Sequence, residues 1–171
     1  MTHSFVETRP TQLPDNVFQA IGRDAMLITA GELASFNTMT ASWGGWGHLW
    51  NRDVCFCFIR PQRHTFGFME RATHFTLSFF DAAHQSALDF CGNHSGRNVD
   101  KIAATGLTPV AGVTAAVYFA QARLVFECRK LYAQDLTAAS FVDPAIPAEV
   151  YAKGDFHRLY VGEILRCLAS H

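Results

Sequence analysis

The sequence is poor in charged residues and shows no excess of either sign. Charged side chains make up 17% of its 171 residues, and the formal net charge is −1. Proteins that bind nucleic acid carry a basic face, so this balance disfavours that class of function. Only 3 of the 14 cationic residues are lysines, and the arginine bias suits bidentate binding of an anion. Hydrophobic residues reach 49%, which indicates a globular chain.

The sequence also lacks the short motifs of several enzyme classes. It contains no Gly-x-x-x-x-Gly-Lys-Ser/Thr loop, no Gly-x-Gly-x-x-Gly after a predicted strand and no Gly-x-Ser-x-Gly elbow. These absences disfavour P-loop nucleotide hydrolysis, a Rossmann domain and an α/β-hydrolase triad. Eight histidines and five cysteines raise the question of a metal. The best group, His84, Cys91 and His94, lacks the paired short spacings of structural zinc sites, so we predict no metal.

No segment reads as a targeting or membrane-spanning sequence. The first residues contain no apolar stretch, so a secretory signal is not expected. Residues 102–122 are uncharged, but Gly106, Pro109 and Gly112 favour loop and strand over a membrane helix. An odd number of cysteines fits reduced thiols, so we expect a cytoplasmic protein without membrane contact. The length predicts one domain over residues 1–171, with a polar lead-in over residues 1–14.

Short predicted strands dominate the chain. In His74–Phe79, strict alternation should turn Phe75, Leu77 and Phe79 inward and His74, Thr76 and Ser78 outward. The strands do not alternate regularly with helices, which favours a mainly β fold, an antiparallel barrel with peripheral short helices. The predicted strands are Ala25–Ala30, Asn37–Trp43, Val54–Ile59, His74–Phe79, Leu124–Cys128 and Arg158–Leu168, the predicted helices are Thr65–Ala72, Asp81–Cys91 and Val99–Thr105, and the glycine-tryptophan segment after Trp43 is predicted as a loop.

Two neighbouring features predict an anion site. The strand Asn37–Trp43 alternates Thr and Ser with Met and Ala, so one face should present a row of hydroxyls. Arg60 and Arg63 then bracket the start of a predicted helix, with Thr65 near its N-cap, and such positions favour phosphate. Together they suggest a site for a phosphorylated planar cofactor. The alternative is a solvated surface with two ordinary arginines, and residue chemistry alone does not decide between them.

Four segments carry a family resemblance. They are Asn37–Trp43, Arg60–Thr65, Cys91–Lys101 and Gly154–His157, in this order and at plausible spacing. Together they resemble the flavin reductase-like family of FMN-binding split β-barrels, most closely its flavoredoxin branch. The resemblance implies an antiparallel, Greek-key-like split barrel and a homodimer that binds FMN. It also implies an enzyme in which NADH or NADPH passes a hydride to N5 of FMN and the electrons go on to an unknown acceptor.

The resemblance also implies site residues. Arg97 and Lys101 would share a helix face if that helix starts early, and could offset negative charge near N1 and the C2 carbonyl of the flavin. His157 follows an inexact Gly-Asp-His motif, interrupted by Phe156, and is assigned a catalytic place by the nicotinamide or the flavin; a structural histidine is the alternative. The implied cofactor-binding residues are Asn37, Thr38, Met39, Thr40, Ala41, Ser42, Trp43, Arg60, Gln62, Arg63, Thr65, Ser95, Gly96, Arg97 and Lys101.

Several alternatives stay open at this point. The protein could be a non-enzymatic FMN electron carrier reduced by a partner protein, or a pyridoxamine-phosphate-oxidase-like barrel that binds another cofactor. Trp43, Trp46 and Trp50 could wall a cleft, or pack on the barrel or on a partner subunit. Cys55 and Cys57 point to one side of a strand, and we favour core packing over a redox pair, because burial makes a thiol inert.

Overall fold

The computed structural model describes residues 4–170. Strands form most of its regular structure, and the helices are short. No helix in this part of the chain is long and apolar enough to cross a membrane. The strands are β1 Phe5–Thr8, β2 Met26–Glu32, β3 Ser35–Ala41, β4 Gly44–Leu49, β5 Arg52–Ile59, β6 His74–Phe79, β7 Pro109–Ala111, β8 Val117–Phe119, β9 Leu124–Asp135 and β10 Arg158–Ser170. The α-helices are α1 Val17–Gly22, α2 His64–Arg71, α3 Gln85–Asn93, α4 Lys101–Thr105 and α5 Ala145–Val150, and 3₁₀ turns cover Pro10–Gln12, Ala82–His84 and Ala138–Ser140.

One antiparallel sheet curls back on itself. Its order is β3-β2-β6-β9-β10-β5-β4, β1 pairs with β10, and β7 and β8 form a separate hairpin. The two ends of this order, β3 and β4, are joined in the chain by only Ser42 and Trp43. Because so short a link cannot cross an open sheet, the end strands must approach each other. Trp46 of β4 accordingly packs edge-on against Phe79 and Phe126, with ring centroids 5.6 and 5.3 Å away. The predicted antiparallel barrel is confirmed.

The sheet separates two apolar cores. The inner core fills the barrel, and the inward positions predicted for β6 (Phe75, Leu77 and Phe79) all lie in it. A second core lies between the outer face of the sheet and a cover made of α3, α4 and the β7–β8 hairpin. The outward exposure predicted for Thr76 and Ser78 is therefore wrong, since both are fully buried under this cover. The Thr76 hydroxyl donates to the Val117 carbonyl of β8.

All five cysteines are buried and unpaired. Cys55 and Cys57 belong to the inner core, as predicted, and the Sγ of Cys55 lies 3.4 Å from that of Cys128. Burial raises the pKa of Cys57 and of Cys128 well above the usual thiol value. Such thiols stay protonated at neutral pH and are poor nucleophiles.

Two segments form strands that the sequence did not predict. The glycine-tryptophan segment is β4, which pairs with β5 through a turn whose central residues, Trp50 and Asn51, have φ of 54° and 55°. Positive φ at both positions gives a turn whose twist matches that of the two strands. Glycine is the usual sequence signal for such a turn, and this turn contains none, so the sequence did not predict it. Part of the polar lead-in is also a strand, since β1 pairs with the end of β10. Residues 1–3 of that prediction and His171 lie outside the described chain.

Helix starts differ from the predictions by small shifts. Helix α2 begins at His64, one residue before the predicted start, and its N-cap is Arg63, so Thr65 lies near the cap as predicted. Helix α4 begins at Lys101 rather than Val99, because the Asp100 carboxylate accepts from the backbone N–H of Ile102 at 2.9 Å and of the next residue. An aspartate in this position fixes the first turn and excludes the residues before it. The predicted helix from Asp81 is divided into a 3₁₀ turn and α3.

Candidate functional site

Two adjoining clefts contain nearly all of the predicted site residues. The first, of about 200 Å³, we call the Trp43 cleft; it is lined by Met39–Trp43, Phe58, Arg60, Arg63 and His157. The second, of about 230 Å³, we call the α2 cleft, since it lies at the start of α2. Met39 and Arg63 line both clefts, which therefore adjoin each other. The α2 cleft is lined by Asn37, Met39, Gln62, Arg63, His64, Thr65, Gly92, Asn93, His94, Ser95, Gly96, Arg97 and Lys101.

The two arginines predicted for the anion differ in their surroundings. Arg60 forms an ion pair with Asp155, donates to the Val150 carbonyl at 3.4 Å and lies 5.3 Å from the ring centroid of Tyr151. The guanidinium of Arg63 has no hydrogen-bond or ion-pair partner within residues 4–170, and burial lowers its pKa. An unpaired, partly desolvated guanidinium binds an anion more strongly than one already neutralised. Arg63 is thus the free cation of the two.

Three residues from distant segments meet at the α2 cleft. The Nδ2 of Asn37 donates to the Thr65 hydroxyl at 2.8 Å, and Thr65 is fully buried in the first turn of α2. A Cβ on Gly96 would lie 2.0 Å from the Asn37 side-chain oxygen. Any larger residue there would have to displace the Asn37 side chain, so glycine lets the turn over residues 95–98 close onto β3. The sequence pattern brought these residues together correctly.

Lys101 is a buried cation at the same place. Its side chain is 5% exposed, and Nζ donates to the carbonyls of Thr38 at 2.7 Å and Cys91 at 2.8 Å. Burial lowers its pKa to about 8, and the charge of Arg63 acts in the same direction while Cys91 opposes it. Lys101 therefore links β3 to α3 and still carries positive charge at neutral pH.

Arg97 reaches the α2 cleft by a different route from the one predicted. It lies in the turn before α4, so it cannot share a helix face with Lys101, and that prediction is wrong. Its guanidinium donates to the Gln62 carbonyl at 3.1 Å, and its backbone N–H donates to the Ser95 hydroxyl at 3.3 Å. Burial, with added repulsion from Arg97 and Lys101, lowers the pKa of His64. The α2 cleft thus has a positive potential.

The predicted row of ligand-facing hydroxyls on β3 is also wrong in part. The Thr38 hydroxyl donates to the Ile28 carbonyl at 3.3 Å and contacts the Thr29 hydroxyl at 2.9 Å. The Thr40 hydroxyl donates to the Leu88 carbonyl of α3. Both groups hold the fold together, since cross-strand and helix neighbours capture them. At the clefts, β3 contributes Asn37, Met39 and the small residue Ala41, and Ser42 follows directly after the strand.

His157 lies in an aromatic setting in the Trp43 cleft. Its ring centroid is 5.1 Å from that of Trp43 and 6.4 Å from that of Phe58, and its Nδ1 lies 2.8 Å from the hydroxyl of Tyr151. Burial lowers the pKa of His157 to about 4, and Arg60 adds to this effect. The imidazole is therefore neutral at pH 7. Sequence reasoning missed Tyr151, which no motif marks.

A larger cavity lies elsewhere. It measures about 370 Å³ and is lined by residues around the other end of α2, including Phe68, Arg71 and His74, and by the β7–β8 turn. None of the predicted site residues lines it. The convergence of distant segments, rather than cavity size, therefore identifies the candidate site.

Comparison with known proteins supplies the family context. A family model described as flavin reductase like domain matches residues 18–171. Curated proteins give no significant sequence match. Among solved structures, the chain is similar to the flavoredoxin of Desulfovibrio vulgaris (Miyazaki F), with 20% identity and a TM-score of 0.68 over 96% of this chain and 78% of that one.

Two further solved structures resemble the chain. An FMN-binding domain of a flavin reductases-like enzyme from Shewanella baltica has 12% identity and a TM-score of 0.71, over 99% of this chain and 79% of that one. An NADH:FAD oxidoreductase from Streptomyces globisporus has 17% identity and a TM-score of 0.64, over 86% and 81%. At these identities the likeness shows a shared fold, and it confirms the expected split-barrel class.

Proposed function

This chain belongs to the flavin reductase-like domain family, and we propose that it binds FMN and is an oxidoreductase that uses NADH or NADPH to reduce it. The electrons then pass to a further acceptor. The observation that carries the proposal is the convergence of four distant segments on two adjoining clefts, with Arg63, which has no side-chain partner among residues 4–170, lining both. FMN has a planar ring and a terminal phosphate, and the clefts offer a partner for each.

The phosphate is assigned to Arg63 and the start of α2. The charge of the Arg63 guanidinium is not compensated by any side chain among residues 4–170. In addition, the first backbone N–H groups of a helix have no partner within the helix. Thr65 stands in that first turn, and its hydroxyl is held by Asn37 at 2.8 Å. Arg60, the other arginine predicted for the phosphate, is not assigned to it, because Asp155 already compensates its charge. An anion at this point would gain hydrogen bonds from groups that the fold has already oriented.

The ring is assigned to the backbone of Met39–Trp43 and to the cations of the α2 cleft. Bound FMN would supply the redox chemistry, accepting a hydride at N5 and holding negative charge near N1 and the C2 carbonyl. Lys101 is fixed by two carbonyls and Arg97 by one, so their charges need no rearrangement to offset that negative charge. Gly96 keeps the wall of the cleft close to Asn37.

The nicotinamide is assigned to the Trp43 cleft. Trp43 is 48% exposed and offers an aromatic face to a second planar ring. His157, neutral at pH 7, offers a hydrogen bond without adding charge. The homodimer, the cytoplasmic location and the single domain over residues 1–171 stay predictions from the sequence.

The test begins with the cofactor. The purified protein is examined by mass spectrometry for bound flavin, and FMN and riboflavin are titrated by fluorescence. We expect stoichiometric FMN binding, with riboflavin weaker by the contribution of the phosphate. A preparation that neither contains flavin nor alters its fluorescence would contradict the proposal.

The second step tests the electron donor. NADH and NADPH oxidation is followed with FMN-loaded protein, with heat-denatured protein and free FMN as the control. Turnover with at least one dinucleotide is expected. Tight FMN binding without any dinucleotide oxidation would leave the protein an electron carrier reduced by a partner protein and would overturn the enzymatic part.

A further inference from the structure

Tyr151 belongs to a connecting segment, yet contacts on several sides hold its side chain in place. It lies between β9 and β10, at the end of α5, and is 6% exposed. Its ring stacks on that of Phe156, with centroids 4.7 Å apart and an interplanar angle of 27°. The guanidinium of Arg60 covers the ring at 5.3 Å from its centroid. The phenol hydroxyl is thereby held in one place, 2.8 Å from Nδ1 of His157.

The direction of this hydrogen bond follows from the protons available. Burial raises the pKa of Tyr151, Arg60 opposes this effect and Asp155 adds to it. The phenol therefore keeps its proton, and within residues 4–170 its hydroxyl has no hydrogen-bond partner other than Nδ1 of His157. If this nearly buried hydroxyl accepted from Nδ1, its own proton would be left without an acceptor, which costs free energy, so the hydroxyl donates and Nδ1 accepts. In a neutral imidazole the proton must then be on the other nitrogen, Nε2.

Burial is the main reason that the His157 ring stays neutral, and the neighbouring charges add to it. Arg60 and Arg63 disfavour the imidazolium, and Asp155 favours it. Asp155 is engaged with Arg60 and accepts from Gln62 at 3.1 Å, and its effect on His157 is smaller than that of Arg60. The Nε2 of His157 has no partner within residues 4–170, and the ring lines the Trp43 cleft. The cleft thus presents a neutral N–H group.

We infer that Tyr151 is a positioning residue, which holds His157 as the Nε2–H tautomer so that the Trp43 cleft binds its ligand through a hydrogen-bond acceptor, such as the carbonyl oxygen of a carboxamide. The tautomer depends only on contacts within the chain. The ligand class rests on the proposed function and deepens it. In this arrangement His157 orients the second substrate and supplies no proton at neutral pH. An imidazolium in its place would repel the cationic ring of an oxidised nicotinamide.

The first test measures the tautomer without any flavin. Protein labelled with ¹⁵N in its histidine side chains is studied by NMR, and His157→Gln identifies the signals of His157 by their disappearance. We expect an unprotonated Nδ1 and a protonated Nε2 in the wild type, with no change to imidazolium above about pH 5. A wild-type His157 with its proton on Nδ1 would overturn the inference.

Variants then separate positioning from packing. Tyr151→Phe removes only the hydroxyl, and the two tautomers of His157 should become mixed. Phe156→Leu loosens the same aromatic stack but keeps the hydroxyl, and the Nε2–H tautomer should persist. Equal tautomer shifts in both variants, or none in Tyr151→Phe, would show that packing rather than the hydrogen bond sets the state of His157.

Kinetics test the ligand class. In Tyr151→Phe we expect the KM for the dinucleotide to rise about two- to tenfold, the range for one hydrogen bond, with kcat nearly unchanged. Thionicotinamide dinucleotide, whose sulfur is a weaker acceptor, should lose affinity in the wild type and much less in the variant. Equal losses in the two proteins would overturn the carbonyl assignment. If the wild type binds no FMN, the proposed function fails, while the NMR result still decides the role of Tyr151.

Discussion

The α2 cleft and the Trp43 cleft share Met39 and Arg63, yet they are built differently. The α2 cleft is held by buried polar contacts between β3, α2, α3 and α4, and its Thr65 and Lys101 are 0% and 5% exposed. The Trp43 cleft is bounded by the connection between β3 and β4 and by the segment before β10, and Trp43 is 48% exposed. Side chains that buried contacts already fix lose little conformational entropy when a ligand binds, whereas exposed side chains can change conformation to fit different ligands. The α2 cleft therefore suits the phosphate and the charged edge of a resident cofactor, whose ring would extend along Met39–Trp43, and the open side of the Trp43 cleft suits an exchanging substrate.

The largest expected effect is at Gly96. In Gly96→Ala the new methyl group would lie 2.0 Å from the Asn37 side-chain oxygen, so Asn37 must move and its bond to Thr65 is lost. Overpacking costs about 1–3 kcal/mol, and FMN binding would have to return Asn37 to its place against this strain, so we expect FMN affinity to fall roughly a hundredfold. Fluorescence titration measures this change.

Gly22→Ala is the matched control, because a Cβ on Gly22 has no atom within 4 Å. It should leave both the FMN affinity and the midpoint of thermal unfolding nearly unchanged. If Gly96→Ala binds FMN as tightly as this control, the α2 cleft is not the cofactor site and the comparison between the clefts loses its basis.

The next largest effect is at Arg63. Arg63→Ala should weaken FMN binding about ten- to a hundredfold, since a hydrogen bond to a charged group contributes about 1.5–3 kcal/mol. Riboflavin lacks the phosphate, so its affinity should hardly change. Both flavins are titrated against the wild type and the variant. Equal losses for the two flavins would place Arg63 at the ring or in the fold, and the phosphate elsewhere.

The proximity of the candidate site residues was predicted better than the bounds of the elements that carry them. Motifs in order along the chain indicate a shared site without any knowledge of the contacts, and so Asn37, Thr65 and Gly96 were placed together. The orientation of Thr38 and Thr40 was missed because a hydroxyl is captured by whichever carbonyl the neighbouring strand or helix brings, and the sequence does not say which. Strand β4 was missed because its turn uses Trp50 and Asn51, where glycine is the usual signal.

Residues outside any motif were harder still. Tyr151 depends on how the segment between β9 and β10 folds over the barrel, and nothing in its local sequence specifies that path. The difference between Arg60 and Arg63 depends on Asp155, which is 95 residues from Arg60 in the chain. Nonlocal pairing of this kind is decided by packing, and a single sequence contains no direct signal for it.

A smaller effect concerns Lys101 and pH. Its pKa is about 8 in the folded protein against 10.5 for a free lysine. As pH rises through about 8, Lys101 loses its charge, and FMN affinity should fall about three- to tenfold. Between pH 8 and 10.5 the unfolded chain binds the extra proton, so the contribution of Lys101 to the free energy of unfolding increases with pH. Affinity and stability thus change in opposite directions.

Lys101→Met isolates this contribution, because both pH dependences should be reduced in the variant. Arg97→Met is the control, since an arginine keeps its charge throughout this range; it should weaken FMN binding without altering either pH profile. Flavin titration and urea unfolding at pH 7, 8, 9 and 10 give the two profiles. Profiles in Lys101→Met identical to those of the wild type would assign the titration to another group.

The smallest effect on FMN should come from Arg60, and it tests the division between the clefts most directly. Arg60→Ala removes the ion pair with Asp155 and the cation over Tyr151, but leaves the contacts of the α2 cleft in place. We expect FMN affinity to change less than about threefold, because Asp155 already neutralises Arg60. The KM for the dinucleotide should rise more than this, since the segment that carries His157 loses an anchor.

Arg60 also lowers the pKa of His157, so that pKa should rise in the variant when followed by histidine NMR. Asp155→Asn disrupts the same ion pair but removes a negative charge, so it should lower the pKa of His157 instead. Opposite pKa shifts with an unchanged FMN affinity would show that the Trp43 cleft responds to its own charges alone. A large loss of FMN affinity in Arg60→Ala would mean that the two clefts act as one site and that Arg60, despite its ion pair, still serves the phosphate.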